Sequence, residues 1–222
     1  MHLGLIGGIG PAATIAYYSK LIEKFKSFGI PLQLTIVHAD VSVLVANASA
    51  NRKQAQAEVF AKHLHQLAGA GCDAAMITAM TGHFCFDQTE PLSPIPLING
   101  TKLVDDYCDE HNIKSVGLLG SPPVIATHLF GLLKSPKTIV PDSEAEKLGA
   151  TYMDLALSAS CSEEQRQYLI NAGARMVTEQ GAQAILLAGT DLGLAFDGQQ
   201  TSYKVIDALE VHAAALVKMA GK

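Results

Sequence analysis

Short apolar runs alternate along this chain with longer stretches of helical period. Leu3, Leu5 and Ile6 predict a first strand over His2 to Ile6, and Leu32 to Val37 a second. Ala74 to Ile77 is an unbroken apolar run, Leu97 and Ile98 form a short one, and Val116 to Gly120, Thr138 to Val140 and Ala184 to Leu187 follow. Unbroken runs of this length are what a strand buried on both faces of a parallel sheet requires. Between them the spacing predicts helices from Ala12 to about Phe28, from Arg52 to about Leu67, over Thr101 to His111, Glu144 to Ser158 and Glu163 to Gln180, and from Ile206 to Met219. Val41 to Ala50 mixes polar and apolar residues and fits neither period.

Strands that alternate with helices imply an α/β protein with parallel sheets and short crossovers. The pattern also repeats. VGLLG at Val116 echoes the opening LGLIGG, and the run at Ala184 repeats the one at Ala74. The expectation is two similar three-layer α/β halves, residues 1–100 with 206–222 and residues 101–205. A cleft between them is the default ligand site.

The stretch Ala74 to Phe86, AAMITAMTGHFCF, turns through Thr78, Ala79, Met80, Thr81 and Gly82 towards a helix at His83. Open α/β sheets bind ligands at such strand ends. The N–H groups of a helix start, with the Thr81 hydroxyl, suit a carboxylate or phosphate. Ala188, Gly189, Thr190 and Asp191 repeat the turn after the later run. Either turn alone reads equally as an ordinary βα connection; the duplication favours a pair of mouths. Gly7, Gly8, Ile9, Gly10 and Pro11 form a glycine loop that allows close approach to a ligand. It lacks both the GxGxxG spacing of a dinucleotide site and the Gly-Lys-Ser/Thr of a P-loop.

Of 222 residues, 49% are hydrophobic and 17% charged, enough apolar mass for a sizeable core. No apolar run reaches the roughly 20 residues of a membrane span, and the N-terminus enters a strand at once, so no secretory signal is expected. A net charge of −5 without a dense Lys/Arg cluster argues against nucleic acid. Cys72, Cys85, Cys108 and Cys161 form neither a CxxC nor a zinc pattern. They read as free thiols of a cytoplasmic protein, and no metal site is expected.

These residues resemble the aspartate/glutamate racemase family, with its hydantoin racemase and maleate isomerase relatives. The resemblance lies in LGLIGGIGPAATIAYY, in VHADV (Val37 to Val41), in VGLLGSPPVIATHLF, in EQGAQAILLAGTDLGL and in the closing VIDALEVHAAALV. It implies a reaction without cofactor, PLP included. Two thiols, one from each half, face opposite sides of a substrate α-carbon; one removes a proton and the other delivers one. In the family's Cys-Asn-Thr-x-His motif this chain has Ala79, Met80, Thr81, Gly82 and His83, and in Gly-Cys-Thr-Glu it has Ala188, Gly189, Thr190 and Asp191. Both thiol positions thus hold residues that cannot move protons.

The resemblance therefore leaves Asp191 and His83 as candidate catalytic groups, and Gly8, Arg52, Thr81, Arg166 and Thr190 as candidate substrate contacts. Each has a plain alternative: a helix cap for Asp191, a backbone-bonded imidazole for His83, a solvated charge for either arginine. Asp207 and His212 match the closing segment and would support the site from behind. Cys85 either reaches the cleft or is a packed core thiol. The implied function is an amino-acid racemase-like isomerase acting on a small carboxylate with altered acid/base groups, expected as a homodimer. A silent carboxylate-binding protein, with extra room at Ala79 and Gly189, and a lyase on the same scaffold are the alternatives.

Overall fold

The computed structural model describes residues 1–8, 11–141 and 143–221; Ile9 and Gly10 of the glycine loop lie outside the described residues. The chain forms two units, Met1–Gly100 with His212–Lys222, and Thr101–Val211. Each is built on a four-stranded parallel sheet. In the first, β1 (His2–Gly7), β2 (Gln33–His38), β3 (Ala74–Ile77) and β4 (Leu97–Ile98) lie in the order β2-β1-β3-β4. In the second, β5 (Ser115–Leu119), β6 (Lys137–Ile139), β7 (Ala184–Leu187) and β8 (Val205–Asp207) lie in the order β6-β5-β7-β8. The two orders are the same permutation, so the repeat read in the sequence is a repeat of topology.

This permutation sets the position of the site. The chain leaves β1 for β2 on one side and returns to β3 on the other, so its direction of winding reverses between β1 and β3, and likewise between β5 and β7. The crevice at the carboxyl ends of such a strand pair is where open sheets take ligands. All four residues of β3 and of β7 are buried, as central strands require. The ladders run into the turns: the Thr78 N–H donates to the Ile6 carbonyl at 3.0 Å, and the Ala188 N–H to the Leu119 carbonyl at 2.8 Å.

Helices cover both sheets. In α1 (Pro11–Ser27), Ala13, Tyr17, Leu21 and Phe25 recur every four residues and form its buried stripe. The segment without a clear period is α2 (Val41–Ser49). Its start is set by the Asp40 carboxylate, which accepts from the Ser42 N–H at 2.8 Å. The α3 helix (Lys53–Gly69) follows at once, and the Asn47 amide of α2 donates to Gln56 of α3 at 3.2 Å. The short α4 (Phe86–Thr89) precedes α5 (Gly100–Glu110), α6 (Pro122–Ala126), α7 (Ala145–Ser158), α8 (Glu163–Thr178), α9 (Gly193–Phe196) and α10 (Ala208–Ala220). Leu148, Leu155, Leu169 and Met176 of α7 and α8 pack with Leu119 and Leu187 as the core of the second unit.

Two elements differ from their sequence reading. The helix expected from Ile206 begins instead at Ala208, because Val205–Asp207 is the edge strand β8 and the Asp207 carboxylate accepts from the Leu209 N–H at 2.8 Å. The helix expected at His83 is a 3-10 segment, Met80–Cys85, followed by the single turn α4.

Gly8 and Gly29 both have positive φ, +123° and +66°, but a β-carbon at Gly8 would lie 2.0 Å from the Ala39 carbonyl oxygen while one at Gly29 would meet nothing within 4 Å. Gly29→Ala is therefore expected to lose about 1 kcal/mol from backbone strain alone, and Gly8→Ala about 3 kcal/mol or more. Urea denaturation of the two variants measures the difference.

Candidate active site

The two strand-end turns share a backbone. Ala79 has φ −119° and ψ 131°, and Gly189 has φ −131° and ψ 118°; each precedes a 3-10 segment and then a four-residue helix. Their side chains solve different problems.

In the first unit the turn is held by two imidazoles. The Gly100 N–H donates to His83 Nε2 at 2.9 Å, so the ring proton sits on Nδ1, which donates to the Ala79 carbonyl at 3.0 Å. On its other side, the Gly100 carbonyl accepts from His212 Nε2 at 2.9 Å, and His212 Nδ1 accepts from the Tyr17 hydroxyl. Hydrogen bonds thus link Tyr17 of α1, His212 of α10, the two peptide groups that flank the Gly100 α-carbon, and the turn at Ala79. Gly100 is glycine because a β-carbon there would lie 2.9 Å from His212 Cε1, His83 Nε2 and Met76 Cε. Both rings are fully buried. Burial pushes His83 down to about 4, and burial with the neighbouring His83 pushes His212 down to about 3. The two rings are neutral and both nitrogens of each are engaged. Both nitrogens of His83, the imidazole read as a candidate catalytic group, are thus bonded to backbone, at the Ala79 carbonyl and the Gly100 N–H. Thr81 is half-buried and Gly8 is buried at the end of β1.

In the second unit, Gly189 faces an aromatic ring. A β-carbon on Gly189 would lie 2.3 Å from Cε2, 2.6 Å from Cζ and 2.7 Å from the hydroxyl oxygen of Tyr152. The extra room expected at Gly189 is filled by this ring. The Tyr152 hydroxyl donates to Asp191 Oδ2 at 2.9 Å. Burial first, then the Asp191 charge and that hydrogen bond, raise the phenol well above its ordinary value, so Tyr152 stays protonated. Asp191 and Thr190 are both buried, 4% and 5% exposed, in the 3-10 segment that follows β7.

The chain matches the family model for Asp/Glu/Hydantoin racemase over residues 6–216. It belongs to the Asp/Glu/hydantoin racemase family. Solved structures share the fold. An aspartate racemase homologue from Pyrococcus horikoshii is 23% identical, with a TM-score of 0.84 over 100% of this chain and 99% of the other. A putative Asp/Glu racemase from Yersinia pestis is 22% identical, with a TM-score of 0.82 and all of both chains covered. A glutamate racemase from Francisella tularensis, solved with D-glutamate, is 14% identical, with a TM-score of 0.69 over 98% of this chain and 80% of the other.

Within this racemase fold the remaining candidates sort by their surroundings. Arg166 of α8 donates from Nη1 to the Ala195 carbonyl at 2.7 Å and lies 3.3 Å from Glu163. It ties α8 to the carbonyl of Ala195 in α9. Arg52 is exposed at the start of α3. Cys85 is fully buried, with its sulfur 3.6 Å from the Gly82 carbonyl, and burial raises its thiol to about 11: a packed core residue. Among the described residues, no three His, Cys, Asp or Glu side chains are grouped to hold a metal, and no helix is long and apolar enough to cross a membrane.

The neutral histidines make stability depend on pH. A folded-state value below the unfolded one, about 6.5, means that stability is full above that value and is lost as pH falls towards the folded values of about 4 and 3. Unfolding free energy is expected to drop by on the order of 2 kcal/mol per imidazole between pH 6.5 and 4.5, read from urea midpoints. A flat profile contradicts the clamp.

Proposed function

We propose that this family member is a cofactor-independent, racemase-like isomerase acting at the α-carbon of a small carboxylate or amino acid, with Asp191 as its acid/base group. The observation that carries the reading is the buried Asp191 carboxylate at the mouth of β7, held by the Tyr152 hydroxyl beside Thr190. In this one-base reaction an Asp191 oxygen takes the α-proton, the C–H electron pair passes into the substrate's carboxyl group, and the Asp191 carboxyl returns a proton to that carbon. Delivery to the original face gives exchange, and delivery after the planar intermediate has turned over gives inversion. A carboxylate shielded from water is a better base than one in solvent. Gly8 and Thr81 at the first strand end, Thr190 at the second, and exposed Arg52 are the proposed substrate contacts. D-glutamate in the Francisella tularensis racemase supports an amino acid as ligand class. The same reading makes the protein a cytoplasmic homodimer.

A second reading has a specific observation in its favour. At the β3 mouth, Ala79 carries no ionisable group and both nitrogens of His83 are bonded to backbone. A carboxylate-binding protein without turnover needs no more than this.

Pooled D- and L-amino acids in D₂O, followed by proton NMR, separate the two. The isomerase reading predicts loss of the α-proton signal of one acid, and a fall of at least about 100-fold in that rate in Asp191→Asn. Thermal stabilisation by a carboxylate without exchange on any acid selects the binding protein.

A further inference from the structure

We propose that Tyr152 is a positioning residue for Asp191, and that its ring is the reason residue 189 is glycine. The proposal rests on Asp191 being the acid/base group. At φ −131° and ψ 118°, Gly189 has ordinary extended backbone, which any residue adopts. Nothing in its conformation demands glycine; the demand comes from the Tyr152 atoms 2.3–2.7 Å from where a β-carbon would sit.

The rest of α7 is built to bring that ring in. Gly149 lies one helical turn before Tyr152, on the same face. A β-carbon at Gly149 would lie 2.9 Å from Pro122 Cγ of α6, so the missing side chain lets α7 settle against α6. Leu148 and Leu155 anchor the same helix in the core and are fully buried. The tyrosine is thereby fixed by packing on both sides, and has only two side-chain torsions to settle. Its hydroxyl then holds Asp191 Oδ2 at 2.9 Å in a space where Tyr152 is 8% and Asp191 4% exposed. A carboxylate that acts on a C–H bond must be held in one orientation, and small misplacements of a reacting group are costly. The phenol remains a donor across the working pH range because burial and the carboxylate keep it protonated.

Tyr152→Phe keeps the ring and removes only the donor. On the acid that the wild-type protein exchanges, kcat for α-deuterium exchange is expected to fall about 10- to 100-fold while KM stays within about twofold, with an unchanged far-ultraviolet spectrum. A merely structural tyrosine would not split kcat from KM in this way. Tyr152→Leu, which also lacks the hydroxyl, is expected to show the same loss of kcat and serves if the phenylalanine variant does not fold. Exchange in both variants within twofold of wild type overturns the proposal and leaves the isomerase reading intact. Wild-type protein that exchanges no acid overturns the isomerase reading, and this proposal with it.

Discussion

No residue with a β-carbon fits at position 189 while the Tyr152 ring lies against the Gly189 backbone. The second unit is arranged around this exclusion. It requires α7 to approach the end of β7, which the missing side chain of Gly149 permits. It brings a phenol within hydrogen-bond reach of the Asp191 carboxylate. Arg166 of α8 bonds the Ala195 carbonyl of α9. Interiors are close-packed, so a ring gained at one position and a side chain given up at another go together.

The first unit keeps the same strand order and the same backbone at the corresponding turn, and it holds that turn by other means. Two neutral imidazoles bond the N–H and the carbonyl of Gly100, and His83 carries the constraint on to the Ala79 carbonyl. This arrangement satisfies buried backbone groups at a strand end, where an unpaired donor or acceptor is expensive. It also engages every nitrogen of the two rings. Duplicated topology thus supports one strand end through neutral imidazoles and the other through a tyrosine bonded to a carboxyl group.

Much of this was legible in the sequence. Ala74 to Ile77 and Ala184 to Leu187 read as buried strands because strands covered on both faces have no polar alternation. The turns after them, and Asp191 within the second, were visible as a repeated pattern. Strand β8 was missed because three residues run straight into a helix without a turn residue between them. The α2 helix was obscured by its valines, which have no helical preference, and its start depends on the Asp40 cap. The partnership of His83 with His212 was out of reach, since Gly100 joins residues separated by most of the chain. Tyr152 was hidden differently. It shares the buried stripe of α7 with Leu148 and Leu155, and a pattern of apolar positions cannot say which of them turns its polar end towards a site. The one available signal was a glycine in a strand-end motif without a backbone reason to be glycine.

The pairing of Tyr152 with Gly189 is tested most directly by a double-mutant cycle in urea, using Gly189→Ala, Tyr152→Leu and the two together. With the tyrosine present, Gly189→Ala should cost about 2–3 kcal/mol through overpacking. In the leucine background, where the ring is gone, the same change should cost less than about 1 kcal/mol, a coupling of roughly 2 kcal/mol. Equal costs of Gly189→Ala in the two backgrounds would show that the ring does not dictate the glycine, and would contradict this account of the second mouth.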